Sequence, residues 1–184
     1  MAAARYRAST VSAAEKVSRR SAFLLVDAQP MFASSSPATL TRIEQNLHRI
    51  RQRMPVIHIW FGFGPGTPQV WPIRWAGPRL VFCHLDRPGL VPLILPDAGD
   101  LCLKKGYADA FSNRALAPAL RSRGIDHVLV GGFRSGACVL ATLAGAKEHG
   151  LRSSFVPSLS ADWHDRQELH PEYVARFRQY PRLS

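Results

Sequence analysis

Cysteine, aspartate and lysine each stand at the end of a short apolar run in this chain, and together they offer a nucleophile, a base and a counter-ion. The sulfur lies in VLVGGFRSGACVLAT, Val128 to Thr142. Val128, Leu129 and Val130 read as a buried strand, Gly131 and Gly132 interrupt it, and the stretch from Cys138 to Lys147 is helix-forming. Cys138 is therefore expected at a helix N-terminus, where unpaired N–H groups and the helix dipole favour a thiolate. The same N–H groups can hold an oxyanion. A lone cysteine is ordinarily core filler. Two further placements weigh against that reading here. Phe23 to Val26 is an apolar strand ending in Asp27, with Gln29 and Phe32 just beyond, and in LCLKKGYADAF the short strand Leu101 to Leu103 exits into Lys104 and Lys105. Taken singly, the aspartate reads as a cap and the lysines as a solvated strand end. Parallel sheets put their ligand crevice at the carboxyl ends of the strands. Three such ends carrying Asp, Lys and Cys together weigh against the bland reading of each.

The elements that must position these groups alternate. The sequence predicts strands at Phe23–Val26, Val56–Trp60, Leu101–Leu103, His127–Val130 and Ser154–Val156. Between them it predicts helices at about Ala38–Arg53 and Arg114–Arg123, one opening at Cys138, and a last one around Pro171–Tyr180. Pro118 requires the second helix to begin late or bend. Strands that alternate with helices and are apolar throughout imply a parallel sheet covered on both faces. The proline- and glycine-rich segment Phe61–Gly99 reads as a stiff loop carrying Trp71 and Trp75, with a short strand at Leu80–Phe82. Its tryptophans suit either a substrate wall or a covered surface.

At 184 residues with 46% hydrophobic content, the chain supplies one core. Residues 21–184 are expected to form a single domain behind a loosely packed lead-in at residues 1–20. Three cysteines, Cys83, Cys102 and Cys138, show no C-x-x-C spacing and no even framework. That argues against disulfides and structural zinc and for a reducing cytoplasm. The lead-in is Ala-, Ser- and Arg-rich like a transit peptide, and Arg19-Arg20 mimics an export signal, but the apolar residues that follow run directly into Asp27. No apolar run approaches the roughly 18 residues of a membrane span. The net charge of +11 is the strongest competitor to an enzyme, because basic proteins attract nucleic acid. The arginines are scattered over several expected helices and no nucleic-acid motif accompanies them. An anionic substrate stays compatible with this charge.

The ordered set LLVDAQPMF, KKGYADAF and VGGFRSGACVLAT resembles the isochorismatase-like cysteine hydrolases, from about Ser21 to Ala161. That family includes nicotinamidase, N-carbamoylsarcosine amidohydrolase and ureidoacrylate hydrolase. The resemblance implies an α/β fold, a three-layer α/β/α sandwich with a mostly parallel, Rossmann-like sheet. It also implies a catalytic triad of Asp27, Lys105 and Cys138. Lys105 is favoured over Lys104 because the family lysine stands six residues before a signature phenylalanine, here Phe111. A cis peptide is implied between Phe133 and Arg134, with the backbone N–H groups of Arg134 and Cys138 as the oxyanion hole. Gln29, Phe32, Trp60, Phe133 and Arg134 are the candidate substrate contacts, an inward Arg134 suiting an anion.

The chain departs from the family pattern at Gly136, where a polar residue is usual, and at Ser158, where a late aspartate is common. The nicotinamidase metal site needs Asp-x-His, and His58, Trp60 and Phe61 stand there instead, so no metal and no cofactor is expected. The resemblance then implies cleavage of a C–N bond in a small amide, imide or ureido compound through a thioester, in a homo-oligomer. An acyltransferase using the same intermediate and a degenerate binding member are the alternatives. Low-pH alkylation of the cysteine would favour catalysis over the latter.

Overall fold

In the computed structural model, residues 20–62, 92–162 and 178–183 are described. The expected lead-in, the segment holding Trp71, Trp75 and the Leu80–Phe82 strand, and most of the last helix lie outside them. The apolar runs become five strands: β1 Ser21–Val26, β2 Val56–Phe61, β3 Leu101–Lys105, β4 His127–Phe133 and β5 Arg152–Ala161. All pair in parallel, in the order β3-β2-β1-β4-β5. The helices are α1 Pro30–Ala33, α2 Pro37–Arg51, α3 Leu116–Ser122 and α4 Leu140–Glu148. A 3₁₀ turn at Ala110–Ser112 precedes α3, and a π turn at Ser135–Val139 leads into α4.

Side chains alternate across a strand, so each strand feeds two apolar layers. Ala22, Leu24 and Val26 of β1 join Val128 and Val130 of β4 against α3 and α4. Phe23, Leu25 and Leu129 face the other way, onto Ile43 and Leu47 of α2. The i, i+4 spacing of Thr39, Ile43 and Leu47 gives α2 its single buried stripe. Helices thus cover both faces of the sheet, the α/β/α sandwich that the sequence implies.

The departures have local causes. Leu116 opens α3 late, which puts Pro118 in the first turn, where its missing N–H costs nothing. Strand β5 continues through Pro157 to Ala161, well past the expected Val156. Proline is tolerated there because β5 is an edge strand, and its pairing with β4 shifts register between Val130 and Gly132. Among the described residues no helix is long and apolar enough to cross a membrane.

Candidate active site

Strand order reverses at β1, which has β2 on one side and β4 on the other. Such a switch point opens a crevice at the carboxyl ends of the strands. Asp27 follows β1, Cys138 follows β4, and Lys105 closes β3, so all three expected groups emerge at this edge. Asp27 takes a left-handed backbone (φ 52) that non-glycine residues adopt at a cost of about 1–3 kcal/mol. Two bonds hold it there: its N–H donates to the Ile59 carbonyl (2.8 Å), and its own carbonyl accepts from Gln29 N–H (2.7 Å). Gly132, at φ 115, lies so close to Val26 that a Cβ would overlap the Val26 backbone. Only glycine lets β1 and β4 end this near one another.

Lys105 Nζ is 2.8 Å from Asp27 Oδ2, and both side chains are fully buried. The ammonium also donates to the Tyr107 carbonyl (3.0 Å) and sits 5.3 Å from the centre of the Phe61 ring. The Cys138 thiol couples electrostatically to both Asp27 and Lys105. Cys138, at 8% exposure, is the member of the three nearest to solvent. Lys104 is not part of the cluster; its carbonyl accepts from Asn113 Nδ2 (2.6 Å).

The electrostatics differ from the sequence expectation. Burial, and then the neighbouring Asp27 carboxylate, push the Cys138 thiol up to about 12, against the pull of Lys105. The fold therefore holds the sulfur toward the neutral thiol rather than the thiolate. Cys138 does lie in the opening turn of the helical stretch, the π turn that runs into α4, but the apolar layer closes over it. Burial also raises the Asp27 carboxyl, with Lys105 opposing, which makes it a stronger base than an ordinary aspartate. Burial would discharge Lys105, yet Asp27 and Cys138 outweigh it and hold the ammonium above its usual range.

The expected substrate contacts separate into two groups. Phe32 is half-buried, its ring edge-on to Phe61 at 5.8 Å, and Trp60 is half-buried against His58 on the other face of β2. Three others are buried in the frame around the site. Gln29 is fully buried, and its amide both donates to the Phe61 carbonyl (3.1 Å) and accepts from Phe61 N–H (2.7 Å), clamping the ends of β1 and β2. Phe133 is fully buried in the α2-side layer, so its ring is core rather than pocket. Arg134 is 7% exposed and donates from Nη1 to the Asp162 carbonyl (3.2 Å), bracing β4 against the end of β5. The Phe133–Arg134 peptide is cis. Phe61 was missed as a site residue because it reads as the start of the irregular segment; as the last residue of β2 it instead lies between Lys105 and Phe32.

The isochorismatase domain model matches residues 21–179. The chain belongs to the isochorismatase family. A maleamate amidohydrolase of Pseudomonas putida is 37% identical over 89 residues, covering 48% of this chain and 38% of that protein. The chain thus matches less than half the length of that curated relative. A cysteine hydrolase from Pseudomonas syringae pv. phaseolicola superposes with a TM-score of 0.73 at 18% identity, over 89% of this chain and 87% of that one. An N-carbamoylsarcosine amidase from Thermoplasma acidophilum gives 0.70 at 24% identity, over 89% and 95%. At these identities the superpositions speak for the fold.

Proposed function

We propose that this member of the family is a cysteine-dependent amidohydrolase that cleaves the C–N bond of a small amide, imide or ureido compound through a thioester. The observation that carries the reading is the buried Asp27–Lys105 ion pair, 2.8 Å long, coupled electrostatically to the buried Cys138 thiol. Asp27 removes the thiol proton as Sγ attacks the carbonyl carbon, so thiolate forms only in the presence of substrate. The backbone N–H groups of Arg134 and Cys138 hold the oxyanion. Asp27 then returns the proton to the leaving nitrogen as the C–N bond breaks. Water, deprotonated by Asp27, attacks the thioester carbonyl, and the sulfur leaves as the thiol. Throughout, Lys105 keeps one positive charge beside the shifting negative one. Phe61 and Phe32 give the acyl group a partly apolar wall.

The names of two relatives, maleamate amidohydrolase and N-carbamoylsarcosine amidase, set the first compounds to try. Ammonia release from a panel of small amides and ureido acids, headed by these two, tests the reading. Cys138→Ala, Asp27→Asn and Lys105→Met are each expected to lower kcat at least about 10³-fold, as members of one catalytic unit do. Full turnover by Cys138→Ala would refute the nucleophile.

A further inference from the structure

Lys105 and Cys138 stand at opposite sides of the cluster, on an edge strand and a turn, and one short segment joins them: residues 106–113. Asn113, 1% exposed, anchors its far end. Asn113 Nδ2 donates to the Lys104 carbonyl (2.6 Å), while its Oδ1 accepts from Ala115 N–H (2.8 Å). The segment's middle is anchored to α4, where buried Thr142 Oγ1 accepts from Ala110 N–H (3.1 Å). Thr142 is one helical turn beyond Cys138, so it shares that residue's side of the helix. Contact between segment and helix is tight, since a Cβ on Gly145 would collide with the Asp109 carboxylate. The same segment supplies the Tyr107 carbonyl that receives Lys105 Nζ. Hydrogen bonds therefore anchor this one segment to the Lys104 carbonyl, to the Lys105 ammonium and to the helix that carries the sulfur.

We propose that Asn113 and Thr142 are positioning residues, which fix Lys105 against Asp27 and Cys138 by pinning segment 106–113 to β3 and α4. This rests on the hydrolase reading above. Neither residue touches the reacting atoms; each acts through the backbone it holds.

Thr142→Val keeps the shape and removes the acceptor, whereas Thr142→Ser restores it. Asn113→Asp keeps the acceptor for Ala115 and removes the donor to Lys104. Because misplacement by about 1 Å can cost up to about 10²-fold, Thr142→Val and Asn113→Asp are expected to lower kcat about tenfold with KM within about threefold, and Thr142→Ser to stay within about twofold of the native enzyme. Turnover is read on the best amide of the panel. A second readout needs no substrate: the pH dependence of Cys138 alkylation by iodoacetamide, followed by peptide mass. Lys105 opposes the rise of the thiol, so a displaced lysine moves alkylation to higher pH in the Val and Asp variants and not in the Ser variant. Circular dichroism checks folding, and Asn113→Asp carries the test where Thr142→Val does not fold. Variants that lose thermal stability but keep the native kcat and thiol titration would overturn the proposal. So would equal losses in Thr142→Val and Thr142→Ser. Activity surviving in Cys138→Ala would instead overturn the hydrolase reading beneath it.

Discussion

Two buried clusters in this molecule are built from similar parts, a carboxylate, a cation and a third titratable group, yet they hold them in opposite ways. Under the opposite end of β3, Asp100 accepts from Arg51 Nε and Nη2, from His58 Nε2 (3.0 Å) and from the Asp97 N–H (3.0 Å). Burial works to raise Asp100, but Arg51 and the other donors outweigh it and its carboxyl falls below the usual range. At the carboxyl edge, Asp27 has a lysine and a thiol beside it, and burial wins. A carboxylate saturated with donors holds its charge and acts as a staple between α2, β2 and β3. One left undersupplied is ready to take a proton. Fewer donors and deeper burial together separate the Asp27 cluster from the Asp100 staple.

Substitution should separate the two clusters. Cys138→Ala is expected to abolish turnover while leaving thermal stability close to native, because it replaces one small buried group with another. Asp100→Ala should do the reverse. It strips His58 and Arg51 of their shared partner at a cost of about 3 kcal/mol, read by urea denaturation, with kcat of the folded fraction unchanged. Loss of activity in the folded Asp100→Ala protein would show that the clusters are coupled and break the contrast.

Acid should weaken the staple first. Both Asp100 and His58 have depressed values in the fold: Asp100 through its donors, and His58 through burial, which Asp100 only partly offsets. Groups with depressed values lend stability above their unfolded pKa and lose it as pH falls through the folded one. Stability is therefore expected to decline from about pH 6.5 downward, where unfolded histidine takes up its proton. His58→Gln should flatten the upper part of that decline in a series of melting temperatures. The smallest change is predicted at the rim, where Arg20 and Asp126 are 64% and 38% exposed. Removing Arg20 should leave the melting temperature close to native.

The sequence carries which residues meet in the Asp27–Lys105–Cys138 cluster but not the electrostatics they meet in. Asp27, Lys105 and Cys138 are readable because each ends an apolar run, and a parallel sheet brings such ends to one edge. The charge on the sulfur depends on how much of the protein closes over it, and no local spacing records that. Gln29 and Arg134 are polar residues beside the site and so read as substrate contacts. Their bonds to the Phe61 backbone and the Asp162 carbonyl form only once β1 pairs with β2 and β4 with β5. Alternation within β4 sends the Phe133 ring to the α2 side, which the sequence alone does not show. Strand β5 was cut short at Pro157 because an edge position cannot be told from a central one before the strand order is known.

The central claim is that Cys138 carries the acyl group. Intact-mass spectrometry of the protein mixed with its best amide, quenched in acid and mapped by peptide, tests it most directly. An adduct of the acyl mass on the Cys138 peptide, absent from Cys138→Ala and accumulating in wild type when water attack is slowed, is the expected result. Steady hydrolysis with no adduct on that peptide, undiminished in Cys138→Ala, would contradict it.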